Sequence, residues 1–318
     1  MRTIGTTALG AVSLLLALAG CSNDFAPYSQ LDRLRVLGIQ GERATPLPGE
    51  TAVLSALTFA PAGETAAYHW SWCPAAAAAG SNYVCQLDQA QASQAFAAAL
   101  DSGANATLPS LDLGNATTAA LTNPFALSAL ASLCATGLDS PTYSQSFDCE
   151  GGFPVTIVLD VATASASLRA GFVLRLPVGD PPELNQNPSP AGLQLASVAL
   201  ADPPATVKLS AGQTVDLHVD IPLDAIEVRS IPPSEGPPGQ RLERLTASWF
   251  ADRGKIDKAR TSFIDGETSL DQTSQNRWTA PKAADWPASG QVEFAVVLRD
   301  DRGGVDWLVR QVVLELGP

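Results

Sequence analysis

Positive charge and reactive side chains are scarce in this chain. Nineteen Lys and Arg stand against 32 Asp and Glu in 318 residues, a formal charge of -13. No basic stripe is available to neutralise phosphates, which excludes nucleic acid as a partner. The two histidines, His69 and His218, are far apart and no Cys-x-x-Cys pair occurs, so the ligand spacing of a structural zinc site is missing. Enzymatic signatures are missing as well: there is no Gly-x-Ser-x-Gly elbow, His-Glu-x-x-His pair, phosphate loop or dinucleotide fingerprint, and no cofactor is implied. Leu100-Asp101-Ser102-Gly103 has the look of a nucleophile loop but no matching context, and is read as a loop. What the chain does have is 25 Gly and 24 Pro, a composition suited to many short strands joined by turns.

Arg2 is the only charge before Cys21, and residues 4–20 are an uninterrupted run of apolar, small and hydroxyl side chains. That is the charged start and apolar middle of a signal peptide. The run is short for a transmembrane span, and nothing basic follows it as a stop. Its end, Leu18-Ala19-Gly20-Cys21, resembles a bacterial lipobox. The resemblance implies cleavage of residues 1–20, acylation of Cys21 with diacylglyceryl and palmitate chains, and attachment to a membrane. Ser22, where an Asp would favour inner-membrane retention, points to the outer membrane of the cell envelope. Residues 21–30 read as a polar tether, and nine residues after Cys21 reach at most about 30 Å.

Four cysteines remain, Cys73, Cys85, Cys134 and Cys149, and an even remainder in an exported chain reads as two disulfides. Four cysteines allow three connectivities. Local closure favours Cys73 with Cys85 and Cys134 with Cys149, and the competing arrangement pairs Cys73 with Cys149.

One order of features occurs twice. Residues 34–39 lead through a Pro-containing turn to Gly49-Glu50-Thr51 and an alternating strand; residues 195–200 lead through Pro203-Pro204 to Gly212-Gln213-Thr214 and another. A Trp-bearing strand follows in each half, with Tyr68, Trp70 and Trp72 on one face in the first and Leu245, Ala247 and Trp249 in the second. A strand pair closes each half, and the pattern predicts two seven-stranded β-sandwiches. The fold class is therefore mainly β. The first domain spans 31–178, a Pro-rich linker spans 179–192 and spaces the domains without locking them, and the second domain spans 193–318 and folds alone around Trp249. Residues 74–150 form an Ala-rich insertion holding three of the four paired cysteines. It predicts a helix over 88–100 with Ala92, Phe96 and Leu100 on one side, and another opening at Asn123-Pro124 and stopping at Gly137; the competing reading is an unpacked low-complexity loop.

The second half, through Trp249-Phe250-Ala251-Asp252-Arg253-Gly254, Trp278-Thr279-Ala280-Pro281 and residues 296–304, resembles bacterial immunoglobulin-like and PKD-like domains. The whole chain resembles bacterial envelope lipoproteins with tandem domains of that kind. The resemblance implies a lipid-anchored, non-enzymatic protein with a binding, adhesion or spacer role, whose ligand is a protein or a glycan. A carbohydrate-active or metal-dependent hydrolase with its site in or beside the insertion, or a subunit of an envelope machine, are the alternatives.

Three local patterns invite chemistry. Asp216, His218 and Asp220 share one strand face, where a His between two carboxylates could ligate a metal; the plainer reading is a solvated outer face. Residues 300–306, Asp-Asp-Arg-Gly-Gly-Val-Asp, invite a calcium reading but lack EF-hand spacing, and read as a charged hairpin tip. Of Trp70 and Trp72, one could be a rim platform for a sugar ring, although core filling explains both.

Overall fold

The Trp-bearing strands sit at the centre of both halves. The computed structural model describes residues 27–75, 80, 82–97, 100, 107–140, 143–179, 182–231 and 235–317. The signal segment, Cys21 and Asp101–Gly103 lie outside the described residues.

The first half contains β1 (Arg35–Gly41), β2 (Thr51–Phe59), β3 (Ala67–Cys73), α1 (Gln89–Ala95), β4 (Asp112–Gly114), β5 (Thr118–Thr122), α2 (Leu127–Thr136), the hairpin β6 (Leu138–Ser140) with β7 (Tyr143–Gln145), β8 (Phe153–Ala162) and β9 (Ser167–Leu176). One sheet runs β1-β2-β5 and the facing sheet β4-β3-β8-β9. This is the A-B-E and C′-C-F-G strand order of an immunoglobulin-like sandwich, with the tryptophans on its C strand. Trp70 and Trp72 are both fully buried, and their Nε1–H groups donate to the carbonyls of Ala116 (3.0 Å) and Ser110 (2.9 Å). Neither is a rim platform.

Residues 74–150 supply more than a helical excursion, because β4 and β5 lie within them and complete the two sheets. Helix α1 opens on a capping box between Asp88 and Gln91 and buries Ala92 and Phe96 on the predicted spacing, but it ends at Ala95 instead of running to 100, and Leu100 bridges Phe125 instead. Helix α2 starts later than its sequence suggested, at Leu127 behind Ala126. Asn123 is fully buried and acts in a turn: its Oδ1 accepts from Phe125 N (3.0 Å) and its Nδ2 donates to Pro46 O (2.9 Å). That turn drops Phe125 between Phe96, Trp72 and Phe153, so core packing overrides the nearest capping signal. The disulfides are the two local loops, Cys73–Cys85 and Cys134–Cys149. The first loop covers the outer face of its sheet, where Cys73, Tyr83 and Cys85 pack on Val158 of β8.

The second half contains β10 (Gly192–Leu195), β11 (Val198–Ala199), β12 (Ala205–Leu209), β13 (Thr214–Asp220), β14 (Val228–Ser230), β15 (Gln240–Leu242), β16 (Leu245–Ala251), β17 (Lys255–Ile256), β18 (Arg260–Phe263), α3 (Leu270–Ser274), β19 (Gln275–Thr279), β20 (Gln291–Asp300) and β21 (Val305–Leu316). The sheets run β11-β10-β13-β19-β17 and β12-β21-β20-β16-β18, with β12 parallel to β21. Residues 195–200 hold a hairpin bend: Ala196 and Ser197 adopt φ of 49° and 65°, the two left-handed residues of a tight two-residue turn. Trp249 on β16 is fully buried and its Nε1–H donates to Thr261 Oγ1 (2.9 Å).

Strands β16 and β20 are buried on both faces. Their inner residues Trp249, Phe294, Val296 and Leu298 fill the second core. Phe250, Ala295 and Val297 face outward, and with Val305 they form a separate apolar cluster that takes in Leu31 and Leu37 from the first half. The two sandwiches therefore pack side by side. Gly38 sits at a bulge in β1, where an added Cβ would lie 3.2 Å from Val297 Cγ1 and 3.3 Å from Trp307 Cε3. A bare backbone is what lets β1 approach that closely.

Candidate functional site

The junction between the sandwiches gathers the most unusual chemistry among the described residues. It begins at the chain's entry. Leu31 N donates to Ala251 O (2.9 Å) and Ala251 N to Ser29 O (3.0 Å), so residues 29–31 add a short parallel partner beside β16. Tyr28 packs on Phe250 at 5.4 Å between ring centroids and lies under the Arg260 guanidinium at 5.0 Å. The end of the expected tether thus belongs to the folded body.

The Pro-rich linker is also bound, contrary to the expectation that it would not lock the domains. Asn185 N donates to Thr45 Oγ1 (2.9 Å) on the first sandwich, and Asn185 Nδ2 donates to Asp300 Oδ2 (3.1 Å) on the second. Asn187 repeats the arrangement, donating to Gly41 O (2.8 Å) and accepting from Val305 N (3.0 Å). An extended, proline-rich backbone makes few hydrogen bonds with itself, which leaves these Asn side chains and amides to bridge both neighbours.

A buried charge network lies against the linker. Arg302, with its side chain 7% exposed, binds Glu227 Oε2 at 2.6 Å, Glu243 Oε2 at 3.1 Å, Leu184 O at 3.0 Å and Glu183 Oε1 at 3.5 Å. The Glu243 side chain is 1% exposed. Its burial pushes the carboxyl up to about 7; the Glu227 amide and Arg302 oppose that shift, while the nearby Asp300 charge adds to it. Burial raises Asp300 too, against the hydrogen bonds it accepts from Asn185, Gly304 N and Arg302 N. A second group sits alongside: Arg229 Nη2 donates to Glu235 Oε1 and Asp301 Oδ2, both at 2.8 Å, and Arg241 also pairs with Glu235. Burial opposes the charge on Arg229, but the ion pairs with Glu235 and Asp301 outweigh it and raise its pKa. The segment 300–304 is the expected charged hairpin tip, joining β20 to β21 at the junction, and its carboxylates are already engaged by amide and guanidinium donors.

Beside this network the two sandwiches enclose a cleft of about 720 Å³. One wall is the Cys134–Cys149 disulfide with residues 147–151 and Arg175, and the other is residues 229–231 with Asp301 and Arg302. Arg175 Nη1 is held by Asp148 O (2.7 Å) and Gly152 O (3.1 Å), and burial lowers its pKa against the pull of Asp148 and Glu150. Sequence reasoning missed this site. Its residues come from six separated segments, and although the Cys134–Cys149 pair and residues 300–306 stood out in the sequence, nothing there linked them to one another or to a cleft. One signal was present: Phe294-Ala295-Val296-Val297-Leu298 is a continuous apolar run, the mark of a strand covered on both faces.

The candidate metal residues of β13 lie elsewhere. On β13, Leu217 and Val219 point into the core, while Asp216 and Asp220 are exposed and His218 is half-buried on the outer face. A groove of about 480 Å³ includes Asp216 and His218, opposite Arg277 and Gln275, but leaves out Asp220. Among the described residues, no three His, Cys, Asp or Glu side chains are placed to hold a metal ion. The other histidine, His69, stands between Asp112 (3.4 Å) and Asp160 (3.8 Å), and Arg169 grips Asp160 at 2.7 and 2.8 Å. These four side chains form a polar ladder on the outer face of β4-β3-β8-β9, with Asp160 held below the ordinary carboxylate range chiefly by Arg169.

No family model matches the chain, and no curated protein matches it. Among solved structures it is similar to a nucleoside hydrolase-related hypothetical protein from Saccharophagus degradans, associated with carbohydrate metabolism, at 17% identity, over 42% of this chain and 26% of that one, with a TM-score of 0.23. It is similar to three N-terminal domains of the bacteriophage RB49 highly immunogenic outer capsid protein at 12% identity, over 88% of this chain and 59% of that one, with a TM-score of 0.20. Murine CEACAM1b is matched at 10% identity over 88% of this chain and 100% of that one, with a TM-score of 0.22. The chain spans only 26% and 59% of the lengths of the first two. Superpositions this slight carry no weight beside the strand order, on which the immunoglobulin-like assignment rests.

Proposed function

We propose that the chain is a lipid-anchored, non-enzymatic binding protein of the bacterial cell envelope, attached to the outer membrane through acylated Cys21, whose two sandwiches act as a single body. The observation that carries this reading is the docking of residues 29–31 on Ala251, which places the chain's entry at one end of the seam. From Cys21 to Tyr28 is seven residues, at most about 25 Å of extended chain, so an anchor at Cys21 holds the seam close to a bilayer. Ala251 pairs with Phe294 at one end of β20, and the cleft lies past Asp300 at the other. Six residues of strand separate these points by about 20 Å, which turns the cleft away from the entry. Two acyl chains suffice for stable anchoring.

Fractionation and intact mass test the anchor. The expected result is a mature N-terminus at Cys21 carrying acyl mass, with Cys21→Ser losing that mass. A mature N-terminus elsewhere, or no acyl mass on the wild-type chain, overturns it.

A further inference from the structure

We propose that the cleft between the two sandwiches binds a neutral saccharide. The proposal deepens the binding role given above and rests on it. At about 720 Å³ the cleft lies within the range of roughly 300–1,000 Å³ common for small-molecule sites. Its walls carry Arg175, Arg229 and Arg302, and against them Asp148, Glu150, Glu183 and Asp301. Arg229 and Asp301 pair at 2.8 Å, and Arg302 and Glu183 at 3.5 Å, so the charges largely cancel within the walls. A free anion entering meets carboxylates, and a free cation meets guanidinium groups. A hydroxyl both donates and accepts, so a ring bearing several hydroxyls suits a lining in which N–H donors and carboxylate oxygens are interleaved.

Phe147, half-buried against Phe153 at 4.6 Å, and Ile231 add apolar surface for the C–H face of a sugar ring. The site is also preformed. The Cys134–Cys149 bridge fixes the segment bearing Phe147, and two backbone carbonyls hold Arg175, which lowers the ordering cost of binding.

The test is calorimetric titration of the purified full chain with the methyl glycosides of glucose, galactose, mannose and N-acetylglucosamine, with inorganic phosphate and spermidine as the charged probes. The expected result is saturable binding of at least one glycoside with Kd of about 1 mM, tighter than either charged probe. Ser230 is exposed in the cleft wall, so Ser230→Trp fills the space without touching the buried network. That variant, and Arg175→Lys, which removes the planar fork, each weaken the glycoside about tenfold with the thermal midpoint unchanged. If one variant fails to fold, the other decides. No glycoside binding, a charged probe binding more tightly, or unchanged glycoside affinity in a folded variant overturns the proposal. A chain that binds the glycoside but carries no acyl group refutes the anchor and leaves the cleft standing; an acylated chain that binds none does the reverse.

Discussion

The two sandwiches place a tryptophan on the same strand and bury it completely, yet they cover their outer sheet faces by different means. The first uses its own chain: the Cys73–Cys85 loop lies over β8. The second contains no cysteine and, among the described residues, no such flap, and the outward residues Phe250, Ala295 and Val297 of its β16 and β20 are covered by the first sandwich. The first sandwich is therefore closed by covalent bonds, the second by its neighbour. That asymmetry is why the linker is bound: releasing it would expose an apolar face and strand Arg302 without Leu184 and Glu183.

Trp249→Ala is expected to cost about 3–5 kcal/mol, as for other large-to-small changes at fully buried aromatics; a change under about 1 kcal/mol by denaturant unfolding places the second core elsewhere. Cys73→Ala and Cys134→Ala each remove a local loop worth about 3 kcal/mol. Hydrogen exchange should then rise across β3, β8 and α2 while β19 and β20 stay protected, and equal loosening of both halves contradicts the division. Arg302→Met leaves Glu243 buried without its cation, at a cost of about 3 kcal/mol, and should lower the unfolding midpoint of the second sandwich first.

Acidity sharpens the same contrast. Glu243 titrates at about 7 in the folded protein against an ordinary 4.5, so the folded state holds more protons through that interval. Its contribution to stability is complete below 4.5 and disappears as pH rises through about 7, and raised Asp300 acts in the same direction from 3.8 upward. Lowered Asp160 in the first sandwich acts oppositely, contributing above 3.8 and losing that contribution on acidification. Glu243→Gln should flatten the fall in thermal midpoint between pH 5 and 7; an unchanged slope refutes the assignment. The smallest effects belong to β13, where Asp216→Asn and His218→Gln should shift stability by no more than about 0.5 kcal/mol.

Much of the architecture was legible in the chain. Period-2 alternation located β2 and β13, the even cysteine remainder and short separations favoured the pairing found, and the spacing of Ala92 and Phe96 placed α1. The start of α2 was misread because Asn123 and Pro124 are a helix-opening pair by local rules, while the core needed Phe125 in a turn. The junction was unreadable for a different reason. Glu183, Glu227, Glu243 and Arg302 sit in unrelated loops, and no periodicity links residues that meet only after both sandwiches have folded. Prolines in the linker signalled extended backbone correctly, but extended backbone is as ready to bridge two surfaces as to separate them.

If the sandwiches form one body, the distance between them is fixed. Pulsed electron resonance between spin labels on noncanonical residues at Thr118 and Lys208, exposed positions on the first and second sandwiches, measures it without disturbing the disulfides. A single narrow distance distribution is expected in the wild-type chain and a broadened one in Arg302→Met. A broad distribution in the wild type, or one that Arg302→Met leaves unaltered, contradicts it.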